Sequence, residues 1–224
     1  MTYIDTHSHV GLAGTFDEAL QEVESARALG VSTGLMTTGS SADFSRIIDW
    51  APRLGWGYTL GLHPLFIQGE SEKSLELLRE TIVSHLDDPY LIGVGEIGLD
   101  FYVQGLDREK QEYFFAEQLK IAQAFSLPVT IHARRSLFRV MHFVKAIGVT
   151  GGAIHAFTGS VEEAKDVRRA GLYLGVGGAV TYTGSKKVRK IVTELGLENI
   201  VLETDSPDMA PAFDSQRSRA EYLP

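Results

Sequence analysis

Residues 91–100 read Leu-Ile-Gly-Val-Gly-Glu-Ile-Gly-Leu-Asp. The run is apolar and rich in glycine, as in a strand buried within a parallel sheet, yet it carries Glu96 near its end. A carboxylate in an otherwise apolar strand is costly to bury unless it is paired or holds a cation. The glycines around it leave room for other groups to come close. Downstream, the spacing predicts a long helix from about Arg108 to Ser126, with Phe115, Leu119, Ala122 and Phe125 on its buried face. Leu127-Pro128 ends that helix, and a new apolar run begins.

Working outward, the alternation of apolar run and amphipathic stretch repeats along the whole chain. Eight strand-like runs are visible: Tyr3–Val10, Val31–Thr38, Gly57–His63, Leu91–Leu99, Pro128–Ala133, Gly152–Phe157, Tyr173–Thr181 and Asn199–Asp205. Thr15-Phe-Asp-Glu18 and Ser160-Val-Glu-Glu163 match the capping box that opens a helix, and Gly30 and Gly171 suit helix stops. Eight runs in 224 residues predict a (β/α)₈ barrel, because an open doubly wound sheet of this size more usually has five or six strands. No linker or low-complexity tract divides the chain, so residues 1–224 are expected to form a single domain. One element is missing from the pattern. The stretch after the eighth run, Ser206–Pro224, holds three prolines and no amphipathic helix, so the last outer helix is expected to be absent. An apolar strip left uncovered there would favour a homo-oligomer or lower stability.

Composition narrows the chemistry. With 44% hydrophobic and 22% charged residues the chain is an ordinary globular protein. It has no membrane-length apolar run and no signal peptide at its start, which predicts a soluble cytoplasmic protein. The absence of cysteine excludes disulfides, thiolate zinc sites, iron–sulfur clusters and a Cys nucleophile, so a metal would be held by His, Asp and Glu. A formal charge of −8 argues against broad wrapping of duplex DNA. It does not exclude nucleic acid at one cleft, where two divalent cations would reverse the local sign.

The candidate ligands fall at strand ends, where the active sites of such barrels form. His7 and His9 are two apart and point to one face of the first strand. Glu96 ends the fourth run, His132 the fifth, His155 the sixth and Asp205 the eighth, with Glu203 on the same face as Asp205. Oxygen and imidazole ligands suit zinc, manganese, magnesium or cobalt. His7, His9, Glu96 and Asp205 are expected to hold one ion, and Glu96, His132 and His155 a second, with Glu96 bridging. Two ions about 3.5–4 Å apart would polarise a phosphoryl oxygen and lower the pKa of water toward about 7. Asp205 is placed to take a proton from that water, and Glu203 to orient a ligand or help move a proton. His63, in Leu60-Gly-Leu-His-Pro64, is spare and is assigned to substrate phosphate or the leaving group. Arg134 shares a face with His132 and is assigned to an anionic substrate, whereas Arg135 is expected to face away. Thr181 and Tyr182 are read as a solvated loop, and His85 and His142 as surface residues of helices.

This ordered set resembles the TatD family of metal-dependent hydrolases and deoxyribonucleases, within the wider amidohydrolase-like metal barrels. The resemblance runs through Asp5-Thr-His-Ser-His9, Gly61-Leu-His-Pro64, Gly95-Glu-Ile-Gly-Leu-Asp100, Leu127-Pro-Val-Thr-Ile-His132, His155-Ala-Phe-Thr-Gly159 and Leu202-Glu-Thr-Asp-Ser-Pro207. Gly175-Val-Gly-Gly-Ala-Val-Thr-Tyr182 looks most like the YjjV-type bacterial branch. The resemblance implies metal roles for His7, His9, Glu96, His132, His155 and Asp205 and a substrate role for His63. It also implies cleavage of DNA, commonly from 3′ to 5′, with other hydrolytic activities proposed within the family. Two positions depart from the pattern: Ser8 stands where Cys is frequent, and residues 217–224 replace an Arg-Asn-x-Pro-like stretch and its helix. The readings of function are therefore a metal-dependent phosphodiesterase acting on single-stranded or frayed DNA ends, a small-molecule amide, ester or phosphate hydrolase of the same two-metal class, and a non-catalytic binder. A binder has no need of a full ligand set.

Overall fold

The structure is a computed structural model that describes residues 2–149, 151–214 and 216–224. Eight strands, β1 (Tyr3–Ser8), β2 (Val31–Thr37), β3 (Gly57–Leu60), β4 (Leu91–Asp100), β5 (Val129–Arg134), β6 (Gly152–Ile154), β7 (Tyr173–Val176) and β8 (Ile200–Leu202), form one sheet in sequence order. Every hydrogen-bonded pair of neighbours, from β1–β2 to β7–β8, is parallel. The expected barrel is present. Its seam, between β8 and β1, is fastened at the mouth: Asp205 N–H donates to His7 C=O at 2.9 Å and His9 N–H to Ser206 C=O at 2.7 Å.

Helices α1 (Phe16–Ala28), α2 (Phe44–Leu54), α3 (Glu72–Ser84), α4 (Arg108–Ala124), α5 (Leu137–Ile147), α6 (Val161–Arg169) and α7 (Lys186–Leu195) each follow one of the first seven strands. Both capping boxes form as the sequence indicates, Thr15 with Glu18 and Ser160 with Glu163. On α4, Phe115, Leu119 and Ala122 are buried and Phe125 packs at the margin of the core. Trp56, Tyr58, Leu60, Ile97 and Ile131 fill the interior. None of the helices among the described residues is long and apolar enough to cross a membrane.

Among the described residues no α-helix follows β8. The segment after β8 folds back along α1 instead. Glu22 of α1 accepts from Ser206 Oγ, from Ala220 N–H at 3.1 Å and from Arg217 Nη2 at 2.7 Å, and a 3₁₀ turn at Ala220–Tyr222 completes the contact. The outer face of the seam stays open, with Ile4 54% and Leu202 38% exposed.

The strands stop earlier than the apolar runs suggest. His63 lies three residues past β3, His155 immediately past β6 and Asp205 three residues past β8. These ends leave the ladder and turn into the mouth, which is why residue type reads as strand while hydrogen bonding does not.

Candidate metal centre

Six strand ends converge on one buried cluster. His7 Nε2 lies 3.2 Å from Glu96 Oε2 and 3.4 Å from Asp205 Oδ1, and His9 Nε2 lies 3.2 and 3.3 Å from the same two oxygens. The other oxygen of Glu96, Oε1, is 3.1 Å from His132 Nδ1 and 3.3 Å from His63 Nε2. The His155 ring stacks on that of His7 at 3.9 Å, with Nε2 3.7 Å from Asp205 Oδ2. Glu96 thus stands between two donor groups, His7 with His9 and Asp205 on one side and His63 with His132 on the other. His155 sits nearer to His7 than the sequence reading supposed, and His63 nearer to His132.

The polarity of each imidazole is set by its outer nitrogen. His9 Nδ1 meets the Thr37 carbonyl at 3.0 Å and His7 Nδ1 meets Thr130 Oγ at 2.9 Å. His132 Nε2 faces Asp100 Oδ2 at 3.1 Å, and His155 Nδ1 lies 3.0 Å from Glu203 Oε1, off the line that a hydrogen bond needs. For His7, His9 and His132 an oxygen outside the cluster can accept a ring proton, so a neutral ring can keep its proton outside and turn the lone pair of its inner nitrogen toward the carboxylates. His63 is built the other way round. Its Nδ1 accepts the Leu65 N–H at 3.2 Å, so a neutral His63 carries its proton on Nε2 and donates inward.

Lone pairs of nitrogen and oxygen that face one another repel unless a proton or a cation lies between them. His7 Nε2 and Asp205 Oδ1 are both buried and neither has a hydrogen-bond partner. A donor set of imidazole nitrogens and carboxylate oxygens around such orphaned atoms fits a divalent cation. The charges point the same way. Burial opposes it, but the facing carboxylates of Asp205 and Glu96 hold His9 up to about 10, and those of Asp100 and Glu96 hold His132 up to about 9. Glu96 and Asp205 are held well below the ordinary carboxylate range, against their burial, by the surrounding imidazoles. Burial pulls His63 down.

The surrounding sequence serves this placement. Asp205 adopts φ 56°, a left-handed backbone that costs a non-glycine residue roughly 1–3 kcal/mol and persists where the surroundings hold it. Its neighbours do so: Thr204 is tied through N–H and Oγ to Asp5 beneath it. Gly175 must lack a side chain, because a Cβ there would stand 2.3 Å from Glu203 Oε2. Glu203 in turn accepts the Ala156 N–H at 2.7 Å, just after His155. From α4, Gln118 brackets Leu62, donating to its C=O and accepting its N–H at 3.1 and 2.7 Å, and Gln111 does the same for Asp100 at 3.0 and 2.8 Å. The sequence reading missed Asp100, Thr130, Gln111 and Gln118. The two glutamines left a signal, polar residues seven apart on a helical face that is otherwise apolar.

The other residues named from the sequence lie outside the cluster. The Arg134 guanidinium sits over the Tyr102 ring at 3.9 Å. Arg135 does not face away, because it too lies over Tyr102, at 4.7 Å. His85 caps α3 and His142 is exposed on α5, both remote from the mouth. Tyr182 and Thr181 pin the loop after β7 to residues 210 and 212.

The family model described as "TatD related DNase" matches residues 4–224. An uncharacterized metal-dependent hydrolase of Haemophilus influenzae is 36% identical, over 100% of this chain and 88% of its own length. A 3′-5′ ssDNA/RNA exonuclease TatD of Pantoea sp. is 32% identical, over 91% of this chain and 81% of its own. The crystal structure of YjjV, a TatD homologue from Escherichia coli, superposes with a TM-score of 0.93 at 31% identity, covering 99% of this chain and 86% of that one.

Proposed function

The chain belongs to the TatD-related DNase family, and on that premise we propose that it is a divalent-metal-dependent hydrolase that cleaves phosphodiester bonds at the 3′ end of single-stranded DNA. The observation that carries the metal dependence is the convergence of imidazole nitrogens and carboxylate oxygens in one cluster, with His7 Nε2 and Asp205 Oδ1 buried there without a hydrogen-bond partner. The choice of substrate rests on the relative named as a single-strand exonuclease.

In this reading His7, His9, Glu96 and Asp205 hold one ion, and Glu96, His132 and His155 hold a second, which can be zinc, magnesium or manganese. Bound there, the cations supply the positive charge and Lewis acidity that polarise a phosphoryl group and activate water. Asp205 accepts a proton through the oxygen that does not face His7 and His9. Glu203, whose Oε1 lies beside the His155 ring, backs that proton transfer. His63, protonated on Nε2, donates to a substrate oxygen at the mouth. Four of the six donors, His7, Glu96, His155 and Asp205, are buried and the other two partly so, so these charges act with reduced screening.

The test is hydrolysis of a 3′-labelled single-stranded DNA with magnesium, manganese or zinc, with Asp205→Ala alongside. Cleavage that needs metal and vanishes in Asp205→Ala is the expected result. Metal-loaded protein that leaves DNA intact but hydrolyses a small ester, amide or phosphate would replace this reading with the small-molecule one.

A further inference from the structure

Two consecutive arginines share one aromatic ring at the mouth. On an extended strand, neighbouring side chains point to opposite faces, and Arg134 and Arg135 at the end of β5 would ordinarily part. Arg135 takes φ 53° instead, and this left-handed turn brings both guanidinium groups over Tyr102, at 3.9 and 4.7 Å. Strain of this kind is kept where a function needs the geometry. Tyr102 is fixed from the site side, since its N–H and the His132 ring bind the same Asp100 carboxylate, at 2.8 and 3.1 Å.

Both guanidinium groups are exposed, and neither has a carboxylate within ion-pair distance among the described residues. They stand out in a chain of charge −8. Beside them a cavity of about 510 Å³ opens between the ends of β5 and β6, the strands that lead to His132 and His155. Phe101, Arg135, Phe138, Phe157, Thr158 and Gly159 line it, and Phe138 is 88% exposed. Of the two other charges on its wall, Arg139 is paired with Glu112, while Glu163 caps α6 by accepting from Ser160 and keeps its negative charge. The groove therefore offers the unpaired guanidinium of Arg135, with Arg134 beside it, and the exposed ring of Phe138, at the ends of the strands that lead to His132 and His155.

We propose that this groove is a strand-binding subsite, in which Arg134 and Arg135 neutralise the phosphates of nucleotides next to the scissile bond and Phe138 stacks a base. It rests on the phosphodiesterase reading above and extends it from one bond to a length of strand. Stacking on an aromatic ring tolerates any base, and pairing phosphates with arginine makes binding depend on salt. The subsite therefore selects for length and single-strandedness, and leaves sequence unread.

The experiment compares metal-loaded wild type, Arg135→Ala, Arg135→Lys and Phe138→Ala on oligothymidylates of two and six nucleotides. The readout is the ratio of kcat/KM for the longer to that for the shorter. Wild type should prefer six nucleotides, and Arg135→Ala and Phe138→Ala should each cut that preference about tenfold. Arg135→Lys should recover part of it, and Arg135→Ala should also reduce the slope of log kcat/KM against log salt by about 0.7. A variant that only disturbs folding would lower both rates together and leave ratio and slope unchanged. An unchanged ratio in both alanine variants overturns the subsite while leaving the nuclease reading intact. Failure of wild type to cut either oligonucleotide, with hydrolysis of a small phosphodiester retained, overturns both.

Discussion

The two oxygens of Glu96 face different neighbours, Oε2 toward His7 and His9 and Oε1 toward His132 and His63. Removing that side chain disables both groups at once. Glu96→Ala is expected to lose metal from both sites by elemental analysis and to lose more activity than the roughly 10–100-fold that deleting an outer partner of a ligand costs. Metal content equal to wild type would contradict a bridging role. Protons compete for the same places. His9, held up to about 10, and His132, held up to about 9, carry protons at neutral pH in the metal-free protein, and ligation must displace them. Metal affinity should therefore rise with pH between about 7 and 9. Calorimetric titration in buffers of different ionisation enthalpy should register proton release on loading. The ligand candidates were legible because each is a His or carboxylate at the end of an apolar run. Asp100, Thr130 and Thr37 were not, because their roles arise from which strand lies beside which. Arg135 escaped because a left-handed backbone at a non-glycine residue leaves no mark in residue type.

Helix α4 shows how an element carries the site without touching its chemistry. Gln118 and Gln111 reach past the helix surface to clamp the chain just before His63 and at Asp100. Gln118→Ala would leave the buried N–H and C=O of Leu62 unpaired, at a cost of about 1–3 kcal/mol. Urea denaturation should show that loss. Ser160→Ala on α6 gives a comparison, because losing an N-cap costs about 1 kcal/mol without disturbing His63. At this scale the sequence was readable wherever a period or a cap was explicit, as in the two capping boxes and the buried stripe of α4. Strand ends were harder to read. At β3, β6 and β8 the composition stays strand-like after the ladder stops, since residues turning into a packed mouth are as apolar as those in the sheet.

At the scale of the whole molecule, Asp5 joins the first strand to the last, accepting from Thr204 N–H at 2.9 Å and from Thr204 Oγ. Burial pushes its carboxyl up to about 7, against hydrogen bonds from Thr204 and His7 that lower it. A raised carboxyl favours the folded chain while it is protonated. Its contribution is full below the ordinary value near 3.8 and fades as pH rises through 7. Asp5→Asn, which keeps the neutral form at every pH, should flatten the fall in unfolding free energy between about pH 4 and 7. An unchanged slope would assign that fall to other groups. The eightfold repeat and, among the described residues, the absence of an α-helix after β8 could be read from the chain. The use of Glu22 to anchor the segment after β8 could not, since nothing local links residue 22 to residues 206, 217 and 220. The seam itself has a further consequence. Its two fastening amides belong to His9 and Asp205, so the cylinder is buttoned by the residues that would grip a cation. Filling the site then acts as a rivet through the joint. Opening of the seam would then require the ion to leave, so the population of the opened barrel should fall as free metal rises.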